Sequence, residues 1–285
     1  MVAYEMLPDG SKRARRKYHN SGVLGVLEIP SGRSVDTNAW LTLTLSYKLT
    51  FLDSKTQQPG NTGERVLFNS GRDWYARDPG GFMFPIRDWD GGSRKQFSEM
   101  FQTGWLIWNQ RFLIKTPQDY DGFDYTSGKL RLRPNVQCLF RMEASSKGQN
   151  FNIVRLQPTT DKIYHEDGKK TRAFEDGFQP NEGLMADDAW RKPTLGHELG
   201  HALGLNHIKA ELGDAACMKN QNQPRCYGTT PEELRNIMGV GKEITAINAR
   251  PWREHLSSIT DEAVAYWGLV VMSEPGKASL APRRV

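Results

Sequence analysis

The chain has 285 residues, 38% hydrophobic and 10% aromatic, which is ample material for a large core and excludes wholesale disorder. Its longest apolar run, Ala263 to Met272, is ten residues, short of the ~18–20 needed to span a bilayer, so no membrane span is expected. The net charge of +5 comes from one cluster: without Lys12, Arg13, Arg15, Arg16 and Lys17, 33 cations balance 33 acids. A nucleic-acid-binding domain spreads its basic footprint over a folded face, so nucleic acid is not the expected partner. Residues 1–20 read as a basic, solvated tail, with a polyanion or membrane-surface contact as the functional alternative.

The opening residues, MVAYEMLPDG, carry Glu5 and Asp9 and no apolar stretch. No classical secretory signal is read there; if the protein is exported, either the route is leaderless or a leader has been trimmed away. Val23 to Ile29 reads as a strand. Leu41 to Phe51 alternates apolar with polar side chains, the period of two of a half-buried strand. Residues 53–92 read as long loops with short strands. Phe97, Met100, Phe101, Trp105 and Trp108 recur at helical spacing, so a helix is predicted over about 93–110 with Ser93 as N-cap. Lys129 to Ala144 and Phe151 to Gln157 read as strands, the first turning Val136, Cys138, Phe140 and Met142 to the core. Residues 158–186 hold Asp161, Glu166, Asp167, Glu175 and Asp176 but fit no EF-hand loop, and read as a solvated loop rather than a calcium site.

A helix is predicted from Asp187 or Asp188 to about Leu203. Thr230-Pro231-Glu232-Glu233 has the form of an N-cap with Pro at N1 and Glu at N3. Thr260-Asp261-Glu262 reads as the start of a last helix, ending near Met272. This order of elements predicts an α+β fold rather than repeated βαβ units. Three cysteines with no CxxC form neither a disulfide scaffold nor a zinc ribbon. Cys217 and Cys226 flank a polar loop, where a disulfide is one of two open states.

The chemistry concentrates in His197-Glu198-Leu199-Gly200-His201-Ala202-Leu203-Gly204-Leu205-Asn206-His207. His197 and His201, four apart on a helix, project from one face and suit a shared metal ion. Glu198 is rotated by about 100° from His197 and addresses a water on the metal rather than the metal itself. His207 lies six residues past His201, about 240° around a continuing helix and so pointing away. Gly204 supplies the break: glycine adopts left-handed angles cheaply, so the helix can end there and the chain return His207 to the metal. Three histidines leave a fourth position open, the arrangement of a catalytic zinc site.

These residues resemble the signature of the metzincin zinc peptidases, HExxHxxGxxH followed by a Met-turn, here Arg235-Asn236-Ile237-Met238-Gly239. The resemblance implies Zn2+ held by His197, His201 and His207, with Glu198 as catalytic base and Met238 as an apolar floor beneath the ligands. It implies a mixed twisted sheet with a backing helix and an active-site helix. A substrate cleft would lie between a larger N-terminal subdomain, 21–206, and a smaller C-terminal one, 207–275, with a tail at 276–285. The implied activity is endopeptidase cleavage of protein or peptide substrates. Phe151 to Gln157 would form the cleft rim and pair with an extended substrate. Two positions depart from the family. Ile208 follows the third histidine, matching no familiar subfamily, and Val240 stands where astacins and serralysins have a transition-state tyrosine. Tyr227 and His255 are candidate substitutes. The segment from Gly239 to His255 is also similar to zinc-peptidase toxin domains delivered by bacterial contractile secretion systems. That implies an exported effector with an immunity or inhibitory protein as partner.

Two other classes remain compatible with the residues: a zinc-binding interaction module without peptidase activity, and a polyanion-binding protein with a structural metal. The second would need a fourth protein ligand, and none stands near the motif.

Overall fold

A computed structural model describes residues 4–17, 22–31, 38–52, 67–69, 74–77, 82–155, 163–165, 171–172, 184–186, 192–221, 223–274 and 281–285. In chain order the strands begin with β1 (Glu5–Met6), β2 (Lys12–Lys17), β3 (Val23–Ile29), β4 (Ala39–Leu52), β5 (Leu67–Asn69), β6 (Trp74–Arg77) and β7 (Phe82–Pro85). Helix α1 (Gly91–Gly104) precedes β8 (Phe112–Lys115), β9 (Tyr125–Ser127), β10 (Leu130–Arg133), β11 (Val136–Ala144) and β12 (Gln149–Arg155). Then come β13 (Ile163–His165), β14 (Thr171–Arg172), β15 (Leu184–Ala186), α2 (Lys192–Ala202), α3 (Ile208–Glu211) and α4 (Ala215–Lys219). The chain closes with α5 (Pro231–Arg235), α6 (Arg250–Thr260), β16 (Gly268–Val271) and β17 (Arg283–Arg284). The fold is α+β with a mixed sheet, and none of its helices is long and apolar enough to cross a membrane among the described residues.

The chain divides into two compact units. The first comprises Met1–Ser46, Gly104–Glu143 and Gly196–Val285. Its sheet runs in the order β1-β2-β3-β4-β11-β8-β16. Along β4 the inward residues Leu41, Leu43 and Leu45 are fully buried, as the period-two pattern requires. The basic run 12–17 is not a free tail but strand β2, paired antiparallel with β3 from Lys12↔Ile29 to Lys17↔Leu24. Ala14 is buried, and Arg13 meets Glu28 across the strands, Nε donating to Oε1 at 2.7 Å. Both features suit a half-buried strand and were hidden by the density of charge.

Helix α6 lies against β2 and β3. It buries Pro251, Trp252, His255, Leu256, Ile259 and Thr260, one stripe at helical spacing. The helix predicted to start at Thr260 is absent, since Thr260 ends α6. Asp261 takes a left-handed conformation (φ 64°), with its N–H on the Ser257 carbonyl, and closes the helix. A 3-10 turn over Val264–Tyr266 and strand β16 follow it. The single strand expected over 129–144 is also two strands. Pro134, which lacks an N–H, interrupts the ladder between β10 and β11. Cys138 is buried in β11, as expected.

The second unit comprises Tyr47–Thr103 and Ala144–Leu195. Here β12 runs parallel to the second half of β4, Gln149↔Tyr47 to Val154↔Leu52. Its other edge pairs parallel with β15, Ile153↔Leu184 to Arg155↔Ala186. The rim strand expected at Phe151 to Gln157 thus begins at Gln149 and has both edges engaged at Ile153 and Val154, so those positions cannot add a substrate strand. Asp90, rather than Ser93, caps α1: its Oδ1 accepts from Ser93 N at 2.7 Å, and Ser93 Oγ returns a bond from Asp90 N. Helix α1 ends at Gly104, and a 3-10 turn follows over Trp105–Ile107. Phe97 and Phe101 stack on one face, with Phe151 edge-on to Phe101. The predicted start at Asp187 or Asp188, Gln157, and the five acids singled out over 158–186 lie outside the described residues.

Candidate metal centre

The histidines of the motif converge within the first unit. His197 and His201 stand one turn apart on α2, their Nε2 atoms 3.2 Å apart. The helix stops as the glycine requires. Gly204 has φ +94°, Gly204 N bonds to His201 O, and Leu205 N reaches back to Gly200 O. This is a Schellman ending with glycine at its left-handed position. His207 follows in extended geometry (φ −56°, ψ 151°), and its ring centroid lies 5.2 Å from that of His197 and 4.7 Å from that of His201. One ligand atom from each histidine lies within 4.8 Å of the other two. Tetrahedral zinc with bonds of about 2.0–2.1 Å would set its nitrogens roughly 3.3 Å apart, a spacing the His197–His201 pair already has and towards which His207 would draw in.

Each ring is oriented by a backbone carbonyl at Nδ1: Ile237 for His197 at 2.6 Å, Leu205 for His201 at 2.8 Å and Gln221 for His207 at 2.8 Å. A carbonyl only accepts, so each Nδ1 carries the proton and each Nε2 offers a lone pair. His207 Nε2 and Glu198 Oε2 are buried and have no hydrogen-bond partner among the described residues. Buried polar atoms are almost always satisfied, so these two atoms fit a cation and a water held beside it. Burial lowers the His197 pKa to about 4, and burial with the neighbouring rings lowers that of His201 to about 3. Burial lowers His207 as well. All three are therefore neutral near pH 7, the form that binds metal.

Glu198 is buried beside this cluster, Oε1 at 3.9 Å from His197 Nε2. Burial pushes its carboxyl well above the usual range, which makes its carboxylate a stronger base than an exposed one. Met238 is fully buried, and its sulfur packs against Gly200 of α2. Its N–H donates to Asn236 Oδ1 at 2.8 Å, and its carbonyl accepts from Ile208 N at 2.9 Å. The turn carrying Met238 is thereby tied to the segment carrying His207. Ile208 is buried in α3, and Val240 is 70% exposed.

Of the two side chains named as tyrosine substitutes, only Tyr227 reaches the cluster. Its ring centroid is 3.9 Å from that of His207 and 6.0 Å from that of His197. His255 instead faces β3 in the core, with Nδ1 on the Pro251 carbonyl and its ring against Gly25. Cys217 and Cys226 are disulfide-bonded. Gln221, inside the segment they close, carries no signal in the sequence, since one glutamine in a polar loop forms no pattern. Comparison with protein families, with curated proteins and with solved structures finds no match to the chain.

Proposed function

We propose that the protein is a zinc-dependent endopeptidase of the metzincin type, hydrolysing peptide bonds in protein or peptide substrates. The observation that carries this reading is the convergence of His197, His201 and His207, with Glu198 buried beside them and no fourth protein ligand among the described residues. The zinc identity rests on the donor set, three neutral imidazoles of the kind that bind zinc at an open catalytic site. When bound, zinc would polarise the scissile carbonyl and acidify a water.

The protein's own groups would do the rest. Glu198 takes the water proton and delivers it to the leaving amine, a role suited to a carboxylate made basic by burial. The carbonyls of Ile237, Leu205 and Gln221 keep the three rings aimed inward throughout. Tyr227 is the side chain at the cluster suited to donate a hydrogen bond to the developing oxyanion. The metzincin reading places the substrate in a cleft between two subdomains. The similarity of residues 239–255 to delivered toxin domains supports an exported effector whose producer carries an inhibitory partner.

The test is a zinc-loaded comparison of wild type and Glu198→Ala on a complex peptide library, with products read by mass spectrometry. Cuts made by the wild type alone are expected. A wild type that binds zinc but cuts nothing in any library would replace the peptidase reading with that of a zinc-binding interaction module.

A further inference from the structure

His207 is the ligand that no helix holds. It stands at the head of the four-residue helix α3, after a turn, and the motif contains nothing that fixes it. The structure supplies a fixing element from a distant segment. Gln221 addresses His207 twice: its side-chain Oε1 accepts from His207 N at 3.0 Å, and its main-chain oxygen accepts from His207 Nδ1 at 2.8 Å. The side-chain amide nitrogen of Gln221 also donates to Asn206 Oδ1 at 2.5 Å. The Gln221 side chain therefore bridges the two residues that end the motif.

That bridge is anchored at both ends. Gln221 lies between Cys217 and Cys226, whose disulfide closes a segment with a sequence separation of 9. Both cysteines are buried and pack with Ala210 of α3, so the braced loop rests on the helix that His207 begins. On the other side, Asn206 donates from its backbone N at 2.6 Å and from Nδ2 at 2.9 Å to Glu211 Oε1. Glu211, with a side chain only 1% exposed, is gripped by Arg250 of α6, Nε to Oε2 at 2.7 Å and Nη2 to Oε1 at 2.9 Å. Arg250 also donates to the Gly204 carbonyl at the helix break. A bidentate pair of this kind has little angular freedom.

We propose that Gln221 is a positioning residue for the third metal ligand, holding His207 through a disulfide-braced loop on one side and the Asn206–Glu211–Arg250 chain on the other. The proposal rests on the metal-centre reading above. A metal-binding histidine whose orienting partner is lost keeps its ligand atom but loses its preset direction. Partners of this kind are worth about 10- to 100-fold in metal affinity.

The experiment measures zinc affinity by competition with a chelating indicator, together with the visible spectrum of the Co2+-substituted protein. It uses the full chain with the disulfide intact. Gln221→Met keeps the volume and removes both side-chain hydrogen bonds; Gln221→Ala is the second variant should the first fail to fold, as judged by circular dichroism of the metal-free protein. His207→Ala is the reference. Because the main-chain oxygen of Gln221 still accepts from His207 Nδ1 in these variants, the expected result is the lower end of that range, zinc affinity reduced about 10-fold with an altered Co2+ spectrum, while the metal-free proteins melt close to wild type. Wild-type affinity and spectrum in a folded Gln221 variant, with affinity lost in His207→Ala, would overturn the positioning role alone. Wild-type affinity in His207→Ala would overturn the three-histidine site and the positioning role together.

Discussion

The sulfur of Met238 fills the space that a Cβ on Gly200 would need, and the indole of Trp108 closes the same space from another side, its Cζ2 3.0 Å from that position. Gly200 lies between the two helical ligands. Its missing side chain lets the Met238 turn approach α2, and Trp108 Nε1 adds a hydrogen bond to Gly196 O at 2.7 Å on the same helix. The contact between the Met238 turn and α2 is thus built on an absence of volume.

Gly200→Ala should therefore destabilise the fold despite the helix propensity of alanine. Overpacking typically costs about 1–3 kcal/mol. The propensity gain offsets about 1 kcal/mol of it. The expected outcome is a lower midpoint in thermal or urea unfolding, with weaker zinc binding because Met238 is displaced. An unchanged midpoint would show that the turn yields without cost.

Glu198→Gln removes a base and leaves the ligands in place. Zinc content by elemental analysis should stay near wild type, while kcat/KM on any cleaved peptide should fall by about 10²–10⁴-fold. Equal turnover by both proteins would remove Glu198 from the chemistry.

Gly204→Ala tests the helix ending. At φ +94° a side chain strains the backbone, although no atom lies within 4 Å of the added Cβ. The conformational cost is about 1–2 kcal/mol. Unfolding and zinc titration should both register it, because the ending sets the path to His207.

The disulfide should carry stability of its own. Closing a loop of this size removes unfolded-state entropy worth roughly 2.5 kcal/mol. The Cys217→Ala/Cys226→Ala double variant should show a loss of that order in urea unfolding, without change in the unfolding of the reduced wild type relative to the variant.

Acid should weaken the fold near α5. The backbone N–H of Thr229, aided by Thr230 and by Lys209, holds the Glu233 carboxyl at about 2, against an ordinary value of 4.5. The folded pKa is the lower one, so this stabilisation is complete above about 4.5 and is lost as pH falls towards 2. Glu233→Gln should flatten that part of the stability-against-pH curve measured by chemical unfolding.

The features readable from residue order share one property, that their cause is local. The period of two made Leu41 to Phe51 a strand, and the four-residue spacing put His197 and His201 on one face. A glycine at 204 foretold the helix break, and Thr230 with Glu233 foretold the capping box. Each depends on torsional preferences within a turn or two of chain. Where two local signals competed, residue order misled: Thr260-Asp261-Glu262 has the letters of a helix start, yet the apolar stripe from Trp252 to Ile259 decides that Thr260 is an end. Likewise, the charges of residues 12–17 concealed a strand whose pairing with β3 is its reason to exist. The carbonyl that orients His201 is local, Leu205 four residues on, but those of the other two histidines belong to tertiary structure. Ile237 and Gln221 reach His197 and His207 from 40 and 14 residues away, and Arg250 reaches Glu211 from 39. No spacing rule encodes such contacts, because chain-remote groups meet only when burial of the core brings their segments together.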